Sequence, residues 1–251
     1  MIAKTRGIVL RNTNYSENSV VSKIFTEVFG VQSYLINGIR NNKGAIKTAI
    51  IQPLNILDLE VYHKPNGGLQ RIKEARPNPM LQDIPANITK SCVGMFVSEV
   101  LNKTLHEEEP HEDLFEFLEE FICFLDATND SLALVPHYFL LGLSRQLGFF
   151  PELDHSVTST LDLQEGRMVA ESSTPYQLEA NENELLMQLN SLGLSEIQTI
   201  KTPNFLRISL LKKLISYYQI HIVGQVNFKS LEILNKVLHT ENTGTSIATH
   251  S

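Results

Sequence analysis

The 251-residue chain contains few of the residues that build covalent or metal-bound structure. Its two cysteines, Cys92 and Cys123, lie far apart in the sequence, each within an apolar helical pattern. Because no Cys-x-x-Cys pair occurs, a four-cysteine structural zinc site is excluded. Both cysteines are expected to be small core residues of a protein from a reducing compartment.

Long hydrophobic runs and catalytic signatures are also missing. No stretch approaches the roughly 18 apolar residues of a membrane span, and the N-terminus MIAKTRGIVLR lacks the apolar segment of a secretion signal. The sequence motifs of serine-nucleophile elbows, zinc peptidases and dinucleotide-binding folds do not occur. The sequence therefore predicts a cytoplasmic protein that is not an enzyme, spans no membrane and holds no cofactor or metal.

The net charge of -7 at pH 7 argues at first against a nucleic-acid partner, because phosphate contacts need lysine and arginine. That charge is unevenly distributed. Residues 1–80 carry 11 basic and 5 acidic residues, residues 81–200 carry 4 and 21, and residues 201–251 carry 6 and 2. Both ends of the chain are thus basic around an acidic middle, which predicts a polyanion-binding surface at the ends.

The first 80 residues have the pattern of strands. β-Branched, aromatic and alternating segments predict strands at residues 5–11, 20–28, 31–37, 55–63 and 69–76, with a turn in the polar stretch 12–19. Five strands in about 75 residues fit a five-stranded OB-like β-barrel, whose open face commonly takes oligonucleotides.

Beyond residue 80 the apolar residues follow a helical period. Helices are predicted at residues 114–125, 131–147, 182–192, 204–218 and 228–239, and residues 151–177 interrupt them with a small hairpin or irregular insertion. The predicted class is α+β: an OB domain at 1–80, an all-helical domain at 81–240 that contains the insertion, and a polar tail at 241–251.

The loop at residues 38–48 contains three cations, Arg40, Lys43 and Lys47, and no acidic residue. It lacks the contiguous Gly-Lys-Ser/Thr of a phosphate-binding loop, which disfavours nucleotide hydrolysis. Its composition suits contact with a nucleic-acid backbone, although an ordinary solvated loop can have the same composition.

Aromatic residues are interleaved with the basic residues of the first segment, as in surfaces that stack bases beside phosphate contacts. Phe25 and Phe29 are expected in the barrel core. Tyr15, in a polar turn, and Tyr62, on an outward strand face, are the better candidates for exposure, and for each a role in base stacking and an ordinary surface position are both open.

Two further clusters are open to more than one interpretation. Lys212, Lys213 and Lys229 serve either as solubilising lysines or as a second polyanion contact. The cluster at 106–113 has metal-ligand residue types without ligand spacing, because Pro110 interrupts any helix there, and it fits a solvated helix boundary. A metal-dependent nuclease remains the alternative function, and a structural adaptor without DNA binding is a third.

Several short motifs follow one another along the chain. In the first segment they are Thr5-Arg-Gly7-Ile-Val-Leu-Arg11, Tyr15-x-Glu17, Phe25-Thr26 before Gly30, Gly38 before the basic loop, and Gln52-Pro53-Leu54. Farther along they are Leu140-Leu-Gly-Leu-Ser-Arg-Gln-Leu-Gly148 before Pro151, Tyr217-Tyr218-x-x-His221, and Lys229-Ser230-Leu231. Taken together in this order, they resemble the motifs of the bacterial recombination mediator family RecO, and the resemblance covers nearly the whole chain.

The resemblance implies an OB domain, a helical domain, binding of single- and double-stranded DNA, and strand annealing. The implied partners are RecR, the acidic C-terminal tail of single-stranded DNA-binding protein, and indirectly RecA, in the cytoplasm at the bacterial nucleoid. It places DNA contacts at the basic loop, with Arg11 and Lys23 as neighbours. Tyr15 and the three C-terminal lysines complete the predicted DNA-binding set.

The resemblance also implies a site for the tail of single-stranded DNA-binding protein. There Arg145 pairs with the terminal carboxylate, and Leu141 and Leu147 take the apolar end. Many family members carry a four-cysteine zinc module after the helix that ends here at Gly148. Because residues 151–177 contain no cysteine, no metal is expected in this chain.

Overall fold

The computed structural model describes residues 1–38, 46–65, 67–106, 109–153, 159–170, 174–222 and 228–240. The chain divides into two compact units, Met1–Thr128 and Asn129–Ser251. Strands give way to helices near residue 80, so the first unit contains helices as well as strands. The domain bounds at 80 and 240 stay a prediction, and the polar tail lies outside the described residues.

Five strands at the N-terminus close into a barrel. They are β1 Ile2–Ser16, β2 Ser19–Thr26, β3 Gly30–Asn37, β4 Ile56–Tyr62 and β5 Gln70–Pro77. Their order around the barrel is β1-β2-β3-β5-β4; β3 and β5 pair in parallel, and the other neighbours pair antiparallel. A five-stranded barrel followed by helices confirms the predicted α+β class with an OB-like first part.

Alternation of inward and outward side chains explains why these segments form strands. On β4, Leu57, Leu59 and Val61 are buried in a core that includes residues from the other strands. Gly7 lies where β1 passes closest to this core, because a Cβ built there would come within 2.7 Å of Ile24 Cγ2 and 2.8 Å of Leu59 Cδ1. A larger residue at position 7 would therefore displace core side chains.

Strand β1 continues through most of the stretch where a turn was predicted. Asn12 pairs with Ser22 and Thr13 with Val21 across the ladder to β2, so the connection between the strands is only Glu17 and Asn18. The turn lies within the predicted stretch 12–19, but the strand before it was predicted to end five residues too early, because exposed strand residues can be as polar as a loop.

The helices of the first unit are α1 Asp83–Ala86, α2 Ile88–Thr104 and α3 Glu112–Ala127. The Asp126 carboxylate accepts hydrogen bonds from the backbone N–H groups of Gln82, Asp83 and Ile84 at 2.8–3.2 Å. The buried ammonium of Lys90 donates to the Asp83 carboxylate at 2.9 Å and to the Asp126 carbonyl at 2.6 Å. These polar contacts tie the end of α3 to the start of α1 and α2.

The second unit contains helices and one hairpin. Its elements are α4 Val135–Gln146, β6 Ser159–Asp162, β7 Arg167–Ala170, α5 Ala180–Ser191, a short 3-10 turn Ile197–Thr199, α6 Asn204–His221 and α7 Ser230–Thr240. The pairing of β6 with β7 confirms the predicted small insertion. The hydroxyls of Tyr217 and Tyr218 on α6 donate to the carbonyls of Phe149 and Leu140, each at 2.6 Å, and so hold α6 against α4 and the segment that follows it.

Candidate nucleic-acid interface

On one side of the barrel the outward charges are paired. The Glu60 carboxylate lies 3.6 Å from Lys4 and 2.7 Å from Lys73, and Glu74 lies 3.5 Å from Arg76. We call these five residues the paired face. Each of the three cations has a carboxylate beside it, with Glu60 shared by Lys4 and Lys73, so this face attracts a phosphate backbone less than unpaired cations do.

Arg6 belongs to the same side and is held more firmly. Its guanidinium donates to both carboxylate oxygens of Glu119 at 2.7 Å and to Glu27 at 2.9 and 3.2 Å, and it lies 5.0 Å from the Phe115 ring centroid. The hydrogen bond from Arg6 holds the pKa of Glu27 below its usual value. Arg6 therefore links the barrel to α3. This role could not be predicted from the sequence, because Glu119 is 113 residues away.

A second group of cations has no such partner. Arg11, Lys47, Lys64 and Arg71 are exposed, and no carboxylate in the described part of the chain forms an ion pair with them. We call them the unpaired cations. Arg11 and Lys47 were predicted as DNA contacts, whereas Lys64 and Arg71 were not. These four residues supply positive charge at the surface of the first unit that no described carboxylate neutralises.

Lys23, another predicted DNA contact, has structural partners. Its ammonium donates to the carbonyl oxygens of Asn102 at 3.1 Å and Leu105 at 2.8 Å, where α2 ends. A cation at a helix C-terminus is favoured by the helix dipole. Burial, and then the charge of neighbouring Arg11, lower the pKa of Lys23. The assignment of Lys23 to DNA binding stays a prediction, and Lys23 in addition caps the C-terminal end of α2.

The basic loop is described only at its end. Arg40 and Lys43 lie outside the described residues, while Lys47 is exposed. Ile46 and Ile51, on either side of Lys47, are buried in the barrel core. Lys47 is therefore held at the barrel surface by the burial of its chain neighbours.

The aromatic residues divide as expected between core and surface. Phe25 is buried, with its ring centroid 5.9 Å from that of Phe115, and Phe29 is partly buried and stacks on His63 at 3.9 Å. Tyr15 is 66% exposed and Tyr62 is 46% exposed. Both tyrosines can therefore meet a ligand from solvent.

The three C-terminal lysines have different surroundings. The Lys213 ammonium donates to the carbonyls of Pro175 and Gln177, both at 2.9 Å, and so fastens the segment before α5 to α6. Lys212 and Lys229 are exposed. A polyanion contact and a solubilising role remain open for Lys212 and Lys229, while Lys213 has a structural role in addition.

The predicted site for the tail of single-stranded DNA-binding protein is only partly accessible. Arg145 is exposed, its guanidinium carbon lies 4.0 Å from the Phe150 ring centroid, and it donates to Asn190 Oδ1 at 2.9 Å. Leu141 is 5% exposed and packs inside the unit, whereas Leu147 is partly exposed. An apolar chain end at Arg145 would meet Leu147 and Phe150 rather than Leu141.

The acidic cluster at 106–113 contributes to a helix start. His111 Nδ1 accepts a hydrogen bond from Leu114 N at 3.1 Å and thereby caps α3, while Glu107 and Glu108 lie outside the described residues. In the described ranges, no group of three or more histidine, cysteine or acidic side chains is arranged to hold a metal ion. No helix among those same residues is long and apolar enough to cross a membrane.

Two family models match consecutive parts of the chain. The one described as Recombination protein O N terminal matches residues 1–78, and the one described as Recombination protein O C terminal matches residues 85–232. The chain belongs to the recombination protein O family. The first match ends one residue after β5, so it coincides with the barrel, and the second runs from within α1 to the first residues of α7 and includes the hairpin.

Curated RecO-family relatives align with this chain over nearly their whole length. Proteins named DNA repair protein RecO from Flavobacterium psychrophilum, Christiangramia forsetii and Bacteroides fragilis are 34%, 32% and 29% identical to it, each over 94% of this chain and 99% of the relative. Membership of the family supports a role in DNA repair and recombination.

Proposed function

We propose that this RecO-family protein is a DNA-binding recombination mediator. It binds single- and double-stranded DNA, anneals complementary strands, and with RecR assists the loading of RecA onto strands coated with single-stranded DNA-binding protein. The observation that carries the proposal is the set of exposed cations Arg11, Lys47, Lys64 and Arg71, with which no carboxylate of the described residues forms an ion pair.

The proposed DNA surface consists of Arg11, Lys47, Lys64 and Arg71, joined by Arg40 and Lys43 from the same basic loop as Lys47. These residues supply phosphate contacts, which fix the position of a strand and carry no sequence information. Binding is therefore nearly independent of sequence and strongly dependent on salt.

The acidic part of the first unit limits where DNA lies. Glu112, Glu116 and Glu120 are exposed along α3, four residues apart and so on one side of the helix. Carboxylates in such a row repel a phosphate backbone. DNA is thus directed to the barrel and away from α3.

Annealing by such a surface needs no covalent chemistry. Two complementary strands repel each other through their phosphates, and a protein that neutralises phosphates on both lowers that repulsion. Base pairing then supplies the free energy of duplex formation. The only requirement on the protein is an accessible cationic surface.

Access to coated strands requires contact with the coating protein. Arg145 is the proposed partner of the terminal carboxylate of its acidic tail, with Phe150 beside it and the partly exposed Leu147 two residues farther along for the apolar end. Phe150 replaces Leu141 in this proposal because Leu141 is buried.

The test is annealing of labelled complementary strands coated with the cognate single-stranded DNA-binding protein, either intact or without its C-terminal tail. We expect faster duplex formation on the intact coat, little acceleration on the tail-deleted coat, and no cleavage with Mg²⁺ or Mn²⁺ present. Cleavage of the strands would favour a nuclease, and the absence of both binding and annealing would favour a structural adaptor.

A further inference from the structure

Tyr62 lies at the outer surface of the barrel at the end of β4. Its side chain is 46% exposed, and its neighbours across the two ladders are Ile2 on β1, which is 54% exposed, and Arg71 on β5. An exposed aromatic ring between an apolar side chain and an arginine has the composition of a base-stacking platform beside a phosphate contact.

The strand register connects Tyr62 to the proposed DNA surface. One outward row runs across neighbouring strands, each residue paired with the next: Thr13, Val21, Leu35, Arg71, Tyr62. Because the barrel is closed in the order β1-β2-β3-β5-β4, this row goes round it, and within the row only Arg71 is paired directly with Tyr62. Arg71 is therefore the member of the proposed DNA surface that lies beside the Tyr62 ring.

The charges near Tyr62 also favour a polyanion. Arg71 and Lys64 are both unpaired cations. Arg71 pairs with Tyr62 across the ladder to β5, and Lys64 follows Tyr62 two residues later in the chain. The carboxylate of Glu60, two residues before Tyr62, is held by Lys73 at 2.7 Å. Glu60, the acidic residue closest to Tyr62 in the sequence, is therefore neutralised by Lys73.

The connection that follows Tyr62 leaves space at this end of the barrel. Gly67 and Gly68 have φ of 72° and 82°, values that L side chains rarely adopt. A Cβ built on Gly68 meets no other atom within 4 Å. The connection from β4 to β5 thus has a small glycine tip with open solvent beside it.

Tyr15 is more exposed but has none of these neighbours. It lies between Asn14 and Ser16 at the β1–β2 connection, where Ser16 pairs with Ser19 and the next charged residue is Glu17. A base at Tyr15 would have no cation on the neighbouring strand to hold its phosphate.

We propose that Tyr62 stacks on an unpaired base and so gives this barrel a preference for single strands, with Arg71 holding the adjoining phosphate. This inference rests on the proposed DNA-binding function. Bases of an intact duplex are stacked on one another and cannot reach the ring, so duplex binding relies on the cations alone.

The test is fluorescence anisotropy with labelled oligo-dT and with a labelled duplex, across a series of salt concentrations. Tyr62→Ala should weaken oligo-dT binding about tenfold and leave duplex binding unchanged, because stacking on one base has about that effect. Its salt slope should match that of the unmodified protein, since stacking releases no counterions. Tyr62→Phe should retain oligo-dT affinity because it keeps the ring.

Two matched variants complete the design. Arg71→Gln should weaken both DNA forms and reduce the salt slope for oligo-dT by about 0.7, the contribution of one phosphate contact. Tyr176→Ala removes a tyrosine of similar exposure, 43%, from the second unit and should change neither.

The possible failures are distinguishable. If the unmodified protein binds neither DNA form at low salt, the proposed function fails and this inference fails with it. If the unmodified protein binds oligo-dT and Tyr62→Ala binds it equally well, only the stacking assignment is overturned. An equal loss on oligo-dT and duplex would also contradict single-strand preference.

Discussion

Replacing Lys23 by methionine separates a structural role from a role in DNA binding. Methionine keeps most of the side-chain length but removes the ammonium that donates to Asn102 at 3.1 Å and Leu105 at 2.8 Å. The variant therefore leaves two carbonyl groups at the end of α2 without their charged donor. We expect it to lower stability rather than DNA affinity.

The magnitude follows from three contributions. Hydrogen bonds from a charged donor contribute about 1.5–3 kcal/mol when fully buried, and a cation at a helix C-terminus adds about 0.3–1 kcal/mol. Partial exposure of Lys23 reduces both, and removal of its charge relieves the burial cost and the repulsion from Arg11 that together lower its pKa. We expect the free energy of unfolding to fall by about 2 kcal/mol, which corresponds to a Tm lower by about 5 °C.

The assays are urea unfolding followed by circular dichroism and, for folded protein, the salt dependence of oligo-dT binding. Arg11→Gln is the matched control, because Arg11 pairs with Lys23 across the ladder but is exposed and has no ion-pair partner among the residues described. It should leave unfolding unchanged and weaken DNA binding. Full stability of Lys23→Met together with a reduced salt slope would refute the capping role.

Two further predictions concern ionisable groups, the buried imidazole of His137 and the partly buried ion pairs of Arg6. Burial lowers the pKa of His137 from 6.5 to about 4, so the unfolded state binds a proton more readily than the native state does. The free energy of unfolding should therefore fall by about 2 kcal/mol between pH 7 and pH 5. His137→Gln should remove most of that loss, as measured by urea titrations at both pH values. Arg6→Met should lower the free energy of unfolding at pH 7 by about 2 kcal/mol, because it leaves Glu27 and Glu119 unpaired. That deficit should shrink below about pH 4.5 as the carboxylates are protonated, and a deficit that is constant with pH would contradict the ion-pair account.

Much of the fold could be predicted because local patterns carry it. The alternation of β4 and the helical spacing of α3 are visible within a few residues of sequence, and each appears in the structure. The end of β1 could not be predicted, because Asn12, Thr13 and Asn14 are polar residues that a turn also favours. Their place in the ladder depends on Ser22, Val21 and Val20 of the next strand.

The candidate site was less predictable, because charge pairing depends on distant residues. The sequence indicates that residues 1–80 are basic, but not which cations are already paired. Arg6 finds Glu119 on a helix 113 residues later, and Lys23 meets a carbonyl 82 residues later. Lys64 and Arg71 lie outside the basic loop, so no sequence pattern distinguished them. Their exposure and their lack of an ion-pair partner among the described residues depend on the fold of the barrel.

The most direct test of the DNA surface is the slope of log affinity against log salt for oligo-dT. We predict that the double variant Arg11→Gln, Lys47→Gln reduces the magnitude of this slope by about 1.4, since each phosphate contact contributes about 0.7 for single strands. Arg76→Gln, which removes the same kind of charge from the paired face, should leave it unchanged. Equal slopes for the double variant and the unmodified protein would contradict the account.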